Sequence, residues 1–226
     1  MSVKDAGVRP RGRYLAREAG WLAGVSGERI GQWARHGYIR SSWADESPRV
    51  YSFRDVAEAI MVHALLNRGA KHADIGRTIS NLRAQYGDWP LSHADLWTPS
   101  GSTVGHARRT PIVLKEQDLL LDVGKGLGGQ VYMPGVGDLD RVQGLLRRGG
   151  WAIFVVPDVE SIEVDPDRLS GRPTIKGTRV AADLVAELAT EQGGLRVLTR
   201  DYGLDKRQIE DAVKWYEAVN QLEFAA

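Results

Sequence analysis

Apolar residues in the N-terminal part of the chain recur at helical spacing, in runs that glycines and polar residues separate. Ser26 precedes the second run and predicts an N-cap, and Gly37 follows it and predicts a left-handed C-terminal cap. The motif Ser52-Phe-Arg-Asp55 predicts a capping box at the start of the third run. The pattern therefore predicts helices over residues 14–23, 27–36, 53–68 and 70–86, with two short strands and a polar turn over 38–51.

Helical periodicity is lost over residues 87–110, which are rich in turn-forming residues and predict a linker or long loop. The next elements alternate, and we predict strands at 112–123, 130–133 and 151–156, with a helix at 138–148. A strand at 162–164 and a turn-and-strand unit at 171–180 come before two or three helices, at 182–191, 195–202 and 205–221. The motif Asp205-Lys-Arg-Gln208 predicts a capping box for the last of them.

These elements predict an α+β protein that is predominantly helical. It is expected to have an N-terminal winged helix-turn-helix, a small strand-containing middle region and a C-terminal helix-turn-helix-like domain. The predicted boundaries are a disordered arm at 1–12, then domains at 13–86, 87–160 and 161–226. Tryptophan is abundant, but Trp33, Trp151 and Trp215 fall on predicted core elements, so packing explains them better than a ligand pocket does.

The near-neutral net charge of +1 conceals an asymmetry along the chain. Residues 1–86 carry a net charge of +6, residues 87–161 carry −2 and residues 162–226 carry −3. A basic N-terminal segment favours a polyanionic partner, because bound phosphates release condensed counterions; a basic solvated surface is the alternative. The absence of cysteine excludes disulfides and thiol catalysis, and no apolar run is long enough to span a membrane. We therefore expect a cytoplasmic protein.

The second predicted helix is the first candidate for DNA recognition. A short helix, a glycine turn and an amphipathic helix form a unit whose second helix fits the major groove. Its outward face carries Glu28, Arg29, Gln32, Arg35 and His36. The strand pair after it would form a wing that brings Arg40, Arg49 and Tyr51 towards the phosphate backbone. A dimerisation or protein-binding module is the alternative use of the same unit.

Residues 14–86 resemble the winged helix-turn-helix domain of MerR-type transcription regulators. The residues that carry the resemblance are Gly24-Val25-Ser26, Arg35-His36-Gly37-Tyr38-Ile39, Arg49-Val50-Tyr51-Ser52 and Asp55. The resemblance implies that the second helix and the wing contact DNA, and that the protein acts as a homodimer.

Three cations, Arg172, Lys176 and Arg179, lie within eight residues of one another in a segment that glycines and a proline fix into turns. By spacing alone they could clamp a phosphate or pair with acids elsewhere in the chain. The same segment contains Gly-x-Pro-x-Ile-x-Gly-Thr-Arg, and residues 160–220 resemble a small domain of unknown function that is common in prokaryotic antitoxins. That resemblance implies a helix-turn-helix-like fold in which Lys206, Arg207 and Gln208 open a second recognition helix.

The whole chain resembles a long VapB-type antitoxin. The resemblance implies two partners: operator DNA, which the protein binds as an autorepressor, and a PIN-domain ribonuclease toxin, which it neutralises. Such antitoxins insert a short segment into the toxin's acidic site, where an arginine pairs with carboxylates. The region of Arg147-Arg148 and the tail 221–226 are equal candidates for that segment.

Signals of catalysis are weak, and no enzyme activity, cofactor or metal is expected. The run Gly124-Lys-Gly-Leu-Gly-Gly129 matches a dinucleotide fingerprint, but a strand follows it rather than a helix, which favours a hairpin loop. The five histidines show no paired metal-ligand spacing, and His93 with Asp95 lies in a turn-rich loop. Three alternatives remain: a ligand-responsive regulator with residues 87–160 as sensor, an enzyme that uses the glycine-rich loop, and a structural interaction module.

Overall fold

A computed structural model describes the chain over residues 10–94, 96–97, 112–116, 119–122 and 159–222. The helices in these residues are α1 Ala16–Ala23, α2 Gly27–Arg35, α3 Phe53–Asn67, α4 His72–Tyr86, α5 Pro90–His93, α6 Ala182–Thr190, α7 Gly194–Arg200 and α8 Lys206–Gln221. The strands are β1 Leu96–Trp97, β2 Val113–Glu116, β3 Leu119–Asp122, β4 Ile162–Glu163 and β5 Thr174–Ile175. The predicted class, a predominantly helical α+β fold, is confirmed.

The helix caps follow the local sequence signals. The Ser26 hydroxyl accepts a hydrogen bond from the backbone N–H of Arg29, and Gly37 takes the left-handed conformation with φ of 72°. Ser52 with Asp55 and Asp205 with Gln208 form the two predicted capping boxes. Because each of these contacts joins residues close in sequence, the sequence predicted the boundaries of α2, α3 and α8 to within a residue or two.

The wing is built differently from the predicted strand pair. The described residues between α2 and α3 form no extended ladder, and isolated bridges join Ala44 to Val50 and Tyr14 to Tyr51. Tyr14, predicted to begin the first helix, therefore lies outside α1, in a β-bridge. The loop is held instead by α3, because the Asp55 carboxylate of that helix accepts hydrogen bonds from the backbone N–H and the hydroxyl of Ser42.

The predicted single strand at 112–123 is wrong, because β2 and β3 form an antiparallel hairpin in which Glu116 pairs with Leu119. The polar residues Gln117 and Asp118 separate the two apolar runs. β1 completes this sheet, and β4 pairs with β5 in a second, two-stranded sheet. The elements predicted at 130–133, 138–148 and 151–156 lie outside the described residues, as do Trp151 and the glycine-rich run 124–129.

Two apolar cores meet at α1. The first core packs α1 to α4 around Trp33, and the second packs α6 to α8 around Trp215, as the sequence predicted for both tryptophans. Trp21 of α1 belongs to the second core and packs edge-on against Trp215, with 6.0 Å between ring centroids. The N-terminal and C-terminal units therefore share a buried interface. In the part of the chain that the structure describes, no helix is long and apolar enough to cross a membrane.

Glu58 of α3 is buried and positions the short helix α5. Its carboxylate accepts hydrogen bonds from the backbone N–H groups of Leu91, at 3.1 Å, and Ser92, at 2.6 Å. Burial disfavours the charged form and raises the pKa of Glu58 to about 7, although the hydrogen bonds from Ser92 and Leu91 oppose that shift. Glu58 is thus a buried carboxyl group that titrates near neutral pH.

Since the folded protein holds a proton on Glu58 that the unfolded chain has released, the free energy of unfolding should fall as pH rises from about 4.5 to about 7. The loss should be about 3 kcal/mol. We expect Glu58→Gln to remove this contribution, so that its stability relative to the wild type improves from pH 5 to pH 8. Urea unfolding at the two pH values measures the change. Parallel pH profiles for the two proteins would contradict the assignment.

Candidate nucleic-acid interface

Glycines let α1 and α2 approach closely enough to form a compact helix-turn-helix. A Cβ atom on Gly20 would lie 2.4 Å from the carbonyl oxygen of Val25, and one on Gly27 would lie 2.9 Å from the backbone nitrogen of Arg17. Gly24, with φ of 70°, ends α1 in the left-handed conformation and turns the chain into α2. The close packing of α1 against α2 therefore depends on the absence of a side chain at Gly20 and at Gly27. This packing fixes which face of α2 points outwards.

The outward face of α2 is exposed and polar, and the inward face is buried. Ile30 and Trp33 are buried, and the exposed residues include the four of this helix that were predicted for DNA contact, Arg29, Gln32, Arg35 and His36, together with Glu28. The Gln32 amide donates a hydrogen bond to the Glu28 carboxylate at 3.2 Å. Within the described residues, neither Arg29 nor Arg35 forms an ion pair. Both guanidinium groups are thus available to phosphates or base edges.

Stacked aromatic rings support the C-terminal end of α2. Tyr38 stacks on His36 and on His72, the first residue of α4, with 5.7 Å between ring centroids in each pair. His36 is exposed but held by this stack, so its ring lies at a fixed position beside Arg35. The stack ties the end of the candidate recognition helix to α4.

The wing supplies fewer free cations than the sequence predicted. Arg40 is paired with Asp88, and Arg49 is paired with Asp45, 3.5 Å away. The prediction for Tyr51 is wrong: its ring is 1% exposed, inside the first core, so it cannot contact DNA. The bridge to Tyr14 turns Tyr51 inwards, a long-range contact that a local strand pattern does not reveal.

Sequence reasoning missed Trp43 in the wing. Its ring is 43% exposed, the guanidinium of Arg13 lies over it at 5.4 Å from the centroid, and its indole N–H donates to the carbonyl of Gly12. An exposed tryptophan with a stacked arginine offers both an apolar surface and a positive charge. The only sequence signal for it was a tryptophan within an otherwise polar loop.

The C-terminal cations are divided between internal and surface roles. The Arg172 guanidinium is bound through Nε and Nη2 by the Asp183 carboxylate of α6, which raises the pKa of Arg172. Of its two predicted uses, pairing with an acid is therefore the observed one. Lys176 and Arg179 are exposed, without an ion pair to any described residue. At the start of α8, Arg207 pairs with Glu160, Lys206 lies 3.5 Å from Glu210, and Gln208 caps the helix.

The two predicted recognition surfaces lie at opposite ends of α8. Leu222, directly after α8, lines a cavity of about 330 Å³ together with Ser26, Glu28 and Arg29 at the start of α2. Lys206 begins α8, which places it about 24 Å from Leu222 at a rise of about 1.5 Å per residue. The structure therefore does not bring Lys206, Arg207 and Gln208 together with the exposed face of α2.

Over the described ranges, no group of three or more histidine or acidic residues is arranged to hold a metal ion. The His93 side chain lies outside the described residues, and so do Asp95 and His106. The prediction that His93 and Asp95 are polar residues of a loop, rather than a catalytic pair, therefore stays a prediction.

Comparison with known proteins gives a family match for the C-terminal unit and a fold match for the chain. The family model described as protein of unknown function DUF433 matches residues 162–216, which include the glycine- and proline-rich core at 171–180. No curated protein matches the chain. The crystal structure of Rv2018 from Mycobacterium tuberculosis is similar, with a TM-score of 0.53, 18% sequence identity and coverage of 88% of this chain and 96% of that chain. At this identity the similarity establishes the fold alone.

Proposed function

We propose that this protein is a VapB-type antitoxin that represses its own promoter and neutralises a PIN-domain ribonuclease toxin. The observation that carries the DNA-binding half is the exposed face of α2, where Arg29 and Arg35 project from a helix-turn-helix whose other face is buried. The net charge of +6 over residues 1–86 supports a polyanionic partner for this unit. In this proposal α2 enters the major groove, as in the MerR-type domains that residues 14–86 resemble.

Arg35 is expected to make one of the main DNA contacts, because it is exposed, unpaired among the described residues and positioned beside the stacked His36 ring. We expect Arg35→Ala to weaken binding to the protein's own upstream DNA by about tenfold or more, given about 1–3 kcal/mol for a bidentate base contact. Fluorescence anisotropy at two salt concentrations, with scrambled DNA for comparison, measures the effect.

The matched control is Arg196→Ala on α7, an exposed arginine on the C-terminal unit that is outside the candidate interface. It should leave DNA affinity unchanged. Equal affinities for Arg35→Ala and the wild type, or wild-type binding that does not weaken with salt, would exclude α2 as the recognition helix.

The toxin-binding half of the proposal is supported by the antitoxin-like core at 171–180, with Lys176 and Arg179 on its surface. The test is to clone the genes that neighbour this one and to purify any PIN-domain ribonuclease they encode; the absence of such a gene would contradict this half. We expect the two proteins to co-purify and the ribonuclease to lose activity at equimolar antitoxin. A fully active ribonuclease in the presence of excess antitoxin would contradict this half. It would not affect the DNA-binding half, which the anisotropy measurement tests separately.

A further inference from the structure

The start of α2 borders a cavity to which the end of α8 also contributes. The cavity has a volume of about 330 Å³, and its lining comes from the α1–α2 turn, the exposed face of α2, His63 of α3 and Leu222 directly after α8. Arg29 and Gln32, two of the residues predicted for DNA contact, are part of this lining. The cavity therefore lies beside the part of the candidate recognition helix that base contacts would use.

The last turns of α8 are held against α1, which brings the end of this helix to the cavity. The Arg17 guanidinium donates a hydrogen bond to the side-chain oxygen of Asn220 at 3.2 Å. Tyr216 packs edge-on against Trp21, with 6.2 Å between ring centroids, and Val219 is buried in the second core. These contacts fix the point at which the chain leaves α8, so the residues that follow start at the cavity.

The residues that follow are 223–226, with the sequence Glu-Phe-Ala-Ala, and we call them the EFAA segment. They lie outside the described residues. Leu222 itself lines the cavity, so Glu223 begins at its edge. At about 3.3 Å per residue, four residues reach about 13 Å, which is enough to cross a cavity of this size.

The lining and the EFAA segment have complementary chemistry. The Arg29 side chain is exposed and forms no ion pair with a described residue, whereas the Glu28 carboxylate accepts a hydrogen bond from Gln32. The lining thus offers a guanidinium group, with Val25 as an apolar wall. The segment offers one carboxylate, on Glu223, and an aromatic ring one residue later. A carboxylate and a guanidinium form a charge-assisted pair, which is stronger than a neutral hydrogen bond.

We propose that the EFAA segment occupies this cavity, with the Glu223 carboxylate paired to the Arg29 guanidinium and the Phe224 ring beside Val25 and His63. In this position the segment covers Arg29 and Gln32. The contact is autoinhibitory, because the start of α2 cannot enter a major groove until the segment leaves.

This inference goes beyond the proposed function. Occupancy of the cavity does not depend on what α2 binds, whereas the competition with DNA rests on the proposed function. A segment that is docked about two-thirds of the time lowers the apparent affinity for DNA about threefold, because only the open form is competent to bind.

Disulfide trapping in the full chain tests the position of the segment, and the chain contains no cysteine of its own to interfere. Gln32→Cys, at an exposed position in the cavity lining, is combined with Ala225→Cys. Oxidation should close an intramolecular disulfide in most chains, because the docked segment holds the two sulfur atoms within reach. Non-reducing electrophoresis and intact mass measure the product.

The matched control combines Ala225→Cys with Lys206→Cys. Lys206 is also exposed, but it lies about 24 Å from Leu222 along α8, beyond the reach of three residues of chain. This pair should form the disulfide at least about tenfold more slowly, because the docked segment points away from it. Equal rates for the two pairs, or disulfides that join two chains instead of closing within one, would overturn the proposed position.

The competition with DNA is tested by anisotropy with the protein's own upstream DNA. Deletion of residues 223–226 should strengthen binding by about threefold or more. Glu223→Gln should act in the same direction, because it removes the carboxylate that pairs with Arg29. Glu217→Gln makes the same change in net charge at an exposed position of α8 outside the cavity, so its affinity should stay close to that of the wild type.

Equal affinities for the full chain and the deletion variant, or equal effects of the two glutamine substitutions, would overturn the autoinhibitory contact. If neither the full chain nor the deletion variant binds DNA, the proposed function fails, and the disulfide result still decides whether the EFAA segment occupies the cavity. The two failures are therefore distinguished.

Discussion

Replacing Asp55 by alanine is expected to lower the free energy of unfolding by about 3–4 kcal/mol, because several buried donors then lose their acceptor. The carboxylate is fully buried and accepts hydrogen bonds from the N–H and hydroxyl of Ser42, the N–H of Ser52 and the indole N–H of Trp89, at 2.7–2.9 Å. These donors belong to the wing loop, the N-cap of α3 and the residue before α5. One side chain therefore holds three segments together.

Urea denaturation of Asp55→Ala measures this effect, and Asp45→Ala is the matched control. Asp45 lies in the same wing loop but its side chain is 83% exposed, so its removal should change stability by no more than about 0.5 kcal/mol. Equal losses for the two variants would show that Asp55 is not the acceptor on which the wing depends.

Gly171→Ala is expected to lower the free energy of unfolding by about 2–4 kcal/mol, from overpacking and backbone strain together. A Cβ atom at this position would lie 1.9 Å from the phenol oxygen of Tyr14, and Gly171 has φ of 91°. The Tyr14 hydroxyl donates a hydrogen bond to the carbonyl of Gly171, and burial raises the pKa of that phenol, so it stays protonated. The contact joins the N-terminal and C-terminal units.

Gly177→Ala separates the two contributions to that loss. Gly177 belongs to the same core motif and also has positive φ, 76°, but no atom lies within 4 Å of the position its Cβ would take. We expect it to cost only about 1–2 kcal/mol, the backbone strain alone. Thermal unfolding of both variants checks the order. A larger loss for Gly177→Ala would mean that the close approach of Tyr14 does not determine the glycine at 171.

The two glycines show that the sequence identifies the motif at 171–180 but does not give the reason for each glycine in it. The sequence marked Gly171 and Gly177 as turn formers in one segment. Only the structure distinguishes a glycine required for its conformation from one that also makes room for a side chain 157 positions away in the chain. The same holds for Arg172. The sequence left phosphate binding and pairing with an acid equally open, and the structure shows that Arg172 donates to the Asp183 carboxylate.

The sequence by itself determined α2, α3 and α8 with their caps, and the polar face of α2, but it predicted a loop where α5 lies. Those features depend on residues three or four positions apart, as with Ser26 and Arg29 or Asp205 and Gln208. The tertiary structure alone decided that Tyr51 is buried, that Asp55 supports the wing, that residues 113–116 pair antiparallel with residues 119–122 and that α1 joins the two cores. In each of these cases the decisive partner is a nonadjacent segment, and the free energy of burial depends on how that segment packs rather than on the local pattern.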